Sequence, residues 1–79
     1  MEQKEFAIQE ITFTQTTNRH FTSGKYYLIL LISKGECYFE FENGFSYCNT
    51  ETAIFLKPDQ KISMNYHHNK YPLELLSIR

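Results

Sequence analysis

Apolar and polar residues alternate along most of the chain, and no stretch keeps apolar residues at helical spacing for three turns. Alternation of this kind predicts β-strands, because successive side chains of a strand point to opposite faces of its sheet. Turn residues divide the chain into seven predicted strands, at 6–14, 26–32, 37–42, 45–48, 52–56, 61–67 and 73–78. Short strands separated by turns at roughly 8–12-residue intervals indicate a small antiparallel barrel or sandwich.

Two segments depart from simple alternation. Segment 26–32 is apolar at every position, which is typical of a strand that is covered on both faces, so we expect a central strand there. Segment 15–25 is polar and has no apolar pattern, so we predict a loop.

The pair Asn43-Gly44 predicts a tight hairpin between two of these strands. Asn-Gly is the preferred centre of a type I′ turn, in which both central residues have positive φ angles. That turn places Phe39 opposite Cys48, and Cys37 is then diagonal to Cys48 on the same face. Diagonal residues are about 7–8 Å apart, which is too far for a relaxed disulfide. We therefore expect both cysteines to remain reduced.

Composition and charge exclude several classes of protein. The 79 residues are 42% hydrophobic, with seven Phe and six Tyr, which excludes a disordered chain. A net charge of −1 does not give the basic face of a stand-alone nucleic-acid-binding protein. The longest apolar run is too short for a membrane helix of about 20 residues, and the charged start does not resemble a secretion signal. We expect one cytoplasmic domain over residues 1–79.

The order of several short motifs resembles the N-terminal cupin domain of AraC-type transcription regulators, over residues 18–79. The motifs are His20 ahead of an apolar strand, the Gly35-Glu36 turn after it, the Asn43-Gly44 turn, and a strand that ends at Pro58. The resemblance implies an all-β fold, a small antiparallel cupin-like barrel of the jelly-roll type. It also implies a domain that senses a ligand and dimerises.

The positions that supply metal ligands in metal-binding cupins carry other residues here. Leu28 stands where Glu is frequent, and Ile62 stands where His is frequent. Only His20 remains, and one imidazole does not hold a catalytic metal. We therefore expect no metal, no cofactor and no enzymatic activity. Asp59 is a further departure, because a Gly usually follows the proline in this family.

The resemblance implies a pocket for a small-molecule effector, which is a sugar or another small organic molecule. The expected lining consists of His20, Leu28, Leu30, Phe39, Phe41, Ile62, Met64 and Tyr66. Aromatic rings at the mouth of a barrel can stack on a sugar or on an apolar ring. The alternative is that the aromatic side chains Phe39, Phe41, Phe55 and Tyr66 fill a barrel that is too small to leave a cavity.

The chain ends at Arg79, directly after an apolar strand. We interpret it as a fragment of a longer regulator, in which a C-terminal domain absent from this chain contacts DNA and this domain makes no direct contact with nucleic acid. We expect no membrane association. A homodimer is expected because Leu76 and Ile78 lie on the face opposite Leu73 and Leu75; helices of a longer chain are the alternative cover. A stand-alone cupin-like protein, acting as a binding or assembly module, is the alternative function.

Overall fold

The computed structural model describes residues 7–79, and this part of the chain contains eight β-strands and no helix that could cross a membrane. The strands are β1 (Ile8–Phe13), β2 (Thr17–Thr22), β3 (Leu28–Lys34), β4 (Cys37–Phe41), β5 (Gly44–Cys48), β6 (Ala53–Leu56), β7 (Lys61–Tyr66) and β8 (Leu73–Ile78). The predicted all-β antiparallel fold is confirmed, with one strand more than the seven expected. The first predicted strand began at Phe6, which lies outside the described residues.

The strands form two four-stranded antiparallel sheets that pack face to face. The first sheet has the strand order β1-β8-β3-β6, and the second sheet has the order β2-β7-β4-β5. Strands β1 and β2 are therefore the edges at one side of the sandwich, and β6 and β5 are the edges at the other side. The two sides differ in how well side chains close them.

The inward-facing side chains of both sheets form one hydrophobic core. Alternate residues of β3, β7 and β8 are buried, as the apolar pattern predicted. The core consists of Phe13, Phe21, Leu28, Leu30, Ile32, Cys37, Phe39, Cys48, Ile54, Leu56, Ile62, Met64, Tyr66, Leu73 and Leu75. The Tyr66 hydroxyl donates a hydrogen bond of 2.7 Å to the Tyr71 carbonyl oxygen, so its polar tip is satisfied although the ring is buried.

Strand β3 lies inside the first sheet, between β8 and β6, as expected for a central strand. It begins at Leu28, after the exposed Tyr26 and Tyr27. Its inner face is buried, whereas Ile29 and Leu31 on its outer face are only partly buried. Residues 7–79 therefore cover the inner face of β3 but not its outer face, and the expected cover of the outer face stays a prediction.

The loop predicted over 15–25 is wrong in its middle, because β2 pairs with β7 along its whole length. Phe21 is the only buried residue of β2. The strand is an edge with a solvated outer face, and Arg19 occupies one of its inner positions, so its sequence shows no apolar alternation. Main-chain pairing with β7 defines this strand.

The predicted register of the β4–β5 hairpin is wrong by two residues. Phe41 pairs with Gly44, so the turn is centred on Glu42 and Asn43. Asn43 does not have the positive φ angle that a type I′ turn requires, whereas Gly44 has a φ of 135°, which L side chains rarely adopt. Glycine is therefore needed one position after the turn. Because the shift is even, each residue keeps its predicted face of the sheet.

The two cysteines are buried free thiols. The observed register places Cys37 directly opposite Cys48 and not diagonal to it. The geometric reason for expecting unlinked cysteines is therefore wrong, since directly opposed residues on antiparallel strands lie within reach of a disulfide.

A glycine fixes the turn that carries the chain from β3 in the first sheet to β4 in the second sheet. Gly35 has a φ of 83°, and a Cβ at this position would overlap the carbonyl oxygen of Pro72. The connection between β7 and β8 thus packs directly against the turn, and only a residue without a side chain allows this approach.

Candidate ligand-binding site

The side of the sandwich between β1 and β2 is closed by an arginine. The guanidinium carbon of Arg19 lies 4.9 Å from the centre of the Phe21 ring and 5.9 Å from the centre of the Phe13 ring. Both rings are buried. A guanidinium is attracted to aromatic faces at these distances, so Arg19 covers the edge of the core here.

The opposite side, between β5 and β6, is open. Next to the hairpin turn, the inward-facing residues of β5 are Gly44 and Ser46, which are small and exposed. Phe39 lies opposite Ser46 and is fully buried, whereas Phe41 lies opposite Gly44 and is 42% exposed. Phe41 is therefore an inward-facing aromatic ring that solvent can reach.

Two clefts meet at Phe41, and we call them together the mouth. The first cleft has a volume of about 440 Å³ and is lined by Phe41, Glu42, Phe55, Leu56, Asp59, Gln60, Lys61 and Ile62. The second cleft has a volume of about 420 Å³ and is lined by Phe41, Asn43, Gly44, Phe45 and Ser46. Both volumes are in the range of small-molecule sites, roughly 300–1,000 Å³.

The loop between β6 and β7, residues 57–60, is held in place by hydrogen bonds to the fully buried Ser23. The Ser23 hydroxyl donates a hydrogen bond of 2.6 Å to the Lys57 carbonyl oxygen and accepts one of 2.9 Å from the Gln60 amide. The Ser23 amide donates to the Gln60 carbonyl oxygen at 2.9 Å. These bonds hold the loop in place. Its residues Asp59 and Gln60, together with Lys61 at the start of β7, form one side of the mouth, which we call the polar wall.

Asp59 lies in this loop and is the only described non-glycine residue with a positive φ angle, 62°. The left-handed conformation costs most L residues roughly 1–2 kcal/mol, although Asp adopts it more readily than most. The Asp59 amide donates a hydrogen bond of 2.7 Å to the Gly24 carbonyl oxygen, which helps to hold the conformation. Uncommon backbone conformations of this kind cluster at ligand sites.

Charged side chains of both signs line the mouth, namely Glu42, Asp59 and Lys61. None of them forms a salt bridge with another described residue; the ion pair within residues 7–79 joins Lys34 and Glu74 instead. Within residues 7–79, these three charges are thus not neutralised by an ion pair.

The structure brings six of the eight predicted pocket residues together in the core, where each is at most 3% exposed. These six are Leu28, Leu30, Phe39, Ile62, Met64 and Tyr66. Side chains this buried form a filled interior and offer little surface to a ligand in this conformation. Phe41 and Ile62 also line the mouth. His20 lies on the outer face of the second sheet, where its Nδ1 is 2.7 Å from the Ser63 hydroxyl.

No group of three or more His, Cys, Asp or Glu side chains is placed to hold a metal ion among residues 7–79. Leu28 and Ile62, which occupy the positions of frequent cupin ligands, face the hydrophobic core. The groups that the described residues present at the mouth are an aromatic ring, hydrogen-bonding side chains and charges of both signs.

Sequence reasoning missed the polar wall of the mouth and the two small residues that open it. Asp59 was visible as a departure from the family's glycine, and its left-handed backbone shows why glycine is usual there. Gly44 and Ser46 could be recognised as an opening only with the correct hairpin register, because the register decides which aromatic residue each one faces.

A family model described as the AraC-like ligand binding domain matches residues 4–79. The chain belongs to this family. The membership confirms the resemblance that the motifs around His20 and Pro58 suggested. No curated protein was found to match the chain.

The fold of this AraC-like domain is similar to the crystal structure of a cupin protein from Bacteroides fragilis. The two superpose with a TM-score of 0.65 and 14% sequence identity, over 92% of this chain and 61% of that chain. The similarity confirms the predicted cupin fold. The AraC-like domain thus spans less than two thirds of the length of the cupin that it matches.

Proposed function

We propose that this AraC-like domain is the non-catalytic, ligand-sensing and dimerisation part of a cytoplasmic transcription regulator, and that a small organic effector binds in the mouth. The observation that carries the proposal is the exposure of Phe41, the inward-facing ring opposite Gly44. The family's description as a ligand-binding domain supports the sensing role. Because the core behind Phe41 is filled, an effector meets this ring first.

The side chains that line the mouth indicate which chemical groups an effector would carry. The ring of Phe41 offers an apolar surface on which a flat or ring-shaped body can lie. Glu42 and Asp59 can bind hydroxyl or ammonium groups, and Lys61 can bind hydroxyl or carboxylate groups. A sugar, or another small organic molecule with one apolar face and polar substituents, matches this lining.

The position of the mouth suggests how binding is transmitted. Glu42 belongs to the β4–β5 turn, whereas Asp59 belongs to the β6–β7 loop that Ser23 fastens. An effector that contacts both holds the two loops in one arrangement. If it binds that arrangement better than others, it shifts the population of states, and attached domains follow. With a net charge of −1, this domain is proposed to reach DNA only through a separate domain.

The outer face of the first sheet supports the proposed homodimer. Residues paired across the strands form two adjacent apolar rows, Ile8-Ile78-Ile29-Phe55 and Leu76-Leu31-Ala53. Apolar rows of this extent on one face are typical of protein interfaces. We call these seven residues the outer apolar face, and we propose that two copies of the domain bury it against each other around a two-fold axis.

Sedimentation velocity at increasing protein concentration tests the dimer. We expect a reversible monomer–dimer equilibrium that Ile8→Lys weakens at least tenfold. Phe45→Lys is the matched control, because Phe45 is 67% exposed against 65% for Ile8 but lies on the second sheet. A monomer at all concentrations, or equal effects of the two substitutions, would contradict the proposed interface.

A thermal-shift screen tests the effector site. The probes are three sets of small molecules: monosaccharides, aromatic carboxylates and aromatic amines. We expect at least one set to raise the unfolding temperature of the wild-type domain. The stabilisation should be lost in Phe41→Ala and kept in Tyr38→Ala, because Tyr38 lies on the same strand and is 51% exposed, but on the outer face. Stabilisation that survives Phe41→Ala would place the effector elsewhere.

The outer apolar face also favours a second candidate function, a binding or assembly module that needs no effector. This candidate predicts self-association together with no thermal shift from any of the three probe sets. The two functions therefore give different results in the same pair of experiments.

A further inference from the structure

Two buried cysteines lie directly opposite each other where the β4–β5 ladder ends away from its turn. Cys37 is the first residue of β4 and Cys48 is the last residue of β5, and the two are paired in register. Their side chains are 3% and 1% exposed, and both are free thiols. The effector site does not use them.

Directly opposed residues of antiparallel strands have Cα atoms roughly 4.5–5.5 Å apart. Disulfides join cysteines whose Cα atoms are about 4.4–6.8 Å apart. We infer that Cys37 and Cys48 are a site of reversible disulfide formation, and that the oxidant is a low-molecular-weight disulfide. The two residues can be joined without moving either strand out of register.

The reaction is a pair of thiol–disulfide exchanges. The thiolate of one cysteine attacks a sulfur of the oxidant, which breaks its S–S bond, releases one thiolate and leaves a mixed disulfide on the protein. The thiolate of the second cysteine then attacks the protein sulfur of that mixed disulfide and releases the second thiolate. The protein loses two thiol protons and two electrons; the oxidant accepts both electrons, and its two thiolates take up the two protons.

The surroundings of the pair determine when this reaction occurs. Burial and, to a smaller extent, the neighbouring Cys48 together raise the pKa of the Cys37 thiol to about 12. Few thiolates therefore form while the hairpin is closed. Among residues 7–79, strand β5 is an edge whose one partner is β4, and four of its five residues are exposed, so local opening of β5 is the expected route for the oxidant.

The disulfide would connect directly to the shape of the mouth. The loop that it closes, residues 37–48, contains Phe41 and the hairpin turn. A covalent link between β4 and β5 restricts the separation of the edge strand that forms one rim of the opening. Oxidation is therefore expected to slow the motion of the hairpin without changing its register.

The test is incubation of the native domain with glutathione disulfide at mildly alkaline pH, followed by acid quenching and mass spectrometry. The expected product is a monomeric chain that has lost two hydrogen atoms, with a Cys37–Cys48 crosslinked peptide after digestion. Dithiothreitol should restore the original mass. The Cys37→Ser and Cys48→Ser variants should stop at one glutathione adduct, or remain unmodified.

Stability measurements on the oxidised protein complete the test. We expect a higher unfolding temperature than for the reduced protein, and amide exchange in β5 that is slowed at least tenfold. Two free thiols after a treatment that fully oxidises the urea-unfolded chain would overturn the inference. Glutathione adducts without a crosslink, an intermolecular disulfide, or an oxidised form that melts below the reduced form would also overturn it.

Discussion

Phe41 lies directly opposite Gly44 across the β4–β5 ladder, and the missing side chain of Gly44 leaves the Phe41 ring 42% exposed at the open side of the sandwich. The other side is closed by Arg19, which lies over two buried rings. A filled core with one open edge is why we propose that a small ligand binds at the rim of the sandwich and not at its centre.

The first prediction concerns Ser46, the other small inward-facing residue of β5. We expect Ser46→Leu to place an apolar side chain over the open edge, beside Phe39 and Phe41. Burying part of that side chain should increase the free energy of unfolding by about 1 kcal/mol, while effector binding is lost. Urea denaturation and the thermal-shift screen measure the two effects. Unchanged binding in a folded Ser46→Leu protein would show that the effector does not enter by this edge.

The second prediction concerns the hydrogen bonds of Ser23. We expect Ser23→Ala to lower the free energy of unfolding by about 1–3 kcal/mol, because the Lys57 carbonyl and the Gln60 amide both lose their part-buried hydrogen bonds to the Ser23 hydroxyl. Ser33→Ala is the matched control, since the Ser33 hydroxyl donates to the Glu74 carbonyl oxygen on the exposed surface, and its loss should change stability by less than about 0.5 kcal/mol. Equal losses in urea denaturation would contradict a fastening role for Ser23.

The third prediction compares two glycines with similar backbone conformations. Gly24 has a φ of 64° and open space around its Cβ position, so Gly24→Ala should cost about 1–2 kcal/mol of strain. Gly35→Ala should cost at least about 3 kcal/mol, because its Cβ would also overlap the Pro72 carbonyl oxygen. Chemical denaturation of both variants measures the difference. If the Gly35 variant were no less stable than the Gly24 variant, the close approach of the β7–β8 connection would be wrong.

The fourth prediction concerns stability at alkaline pH. Burial and the adjacent Cys48 raise the pKa of Cys37 from its ordinary value of 9.0 to about 12, so the folded state holds a proton that the unfolded state releases. This contribution to stability is fully present below pH 9 and is lost as the pH rises towards 12, by up to about 1.4 kcal/mol per pH unit.

The Cys37→Ala variant isolates this effect from the titration of other groups. Its free energy of unfolding should fall less steeply between pH 9 and pH 11 than that of the wild type under the same reducing conditions. Parallel curves would show that Cys37 titrates alike in the folded and unfolded states.

The sequence predicted most strands because apolar alternation reports burial on one face of a sheet. It did not predict β2, whose inner face includes Arg19 and whose pairing with β7 involves the main chain. The hairpin register was missed because the sequence shows that Gly44 tolerates a positive φ but not at which position of the turn it is used. The predicted inner and outer faces of the hairpin strands are still correct, because a register shift of two residues leaves each side chain on the same face.

The site was predicted less completely than the fold. Inward-facing residues such as Leu30 and Met64 were found, but they are fully buried and fill the core. The polar wall comes from Asp59 in the β6–β7 loop and Lys61 at the start of β7, which lie near the hairpin because the chain crosses there from the first sheet to the second. Neither the loop's position nor the opening at Phe41 can be read from local alternation, because both depend on contacts between segments far apart in the chain.

The most direct test of the proposed effector site is a ¹H–¹⁵N NMR titration of the isotopically labelled domain with the three probe sets, monosaccharides, aromatic carboxylates and aromatic amines. We expect saturable shift changes for at least one set, concentrated at the amides of Phe41, Gly44, Ser46 and Asp59. Saturable shifts confined to the outer face of the second sheet, around His20 and Asn65, or no shifts with any set, would contradict it.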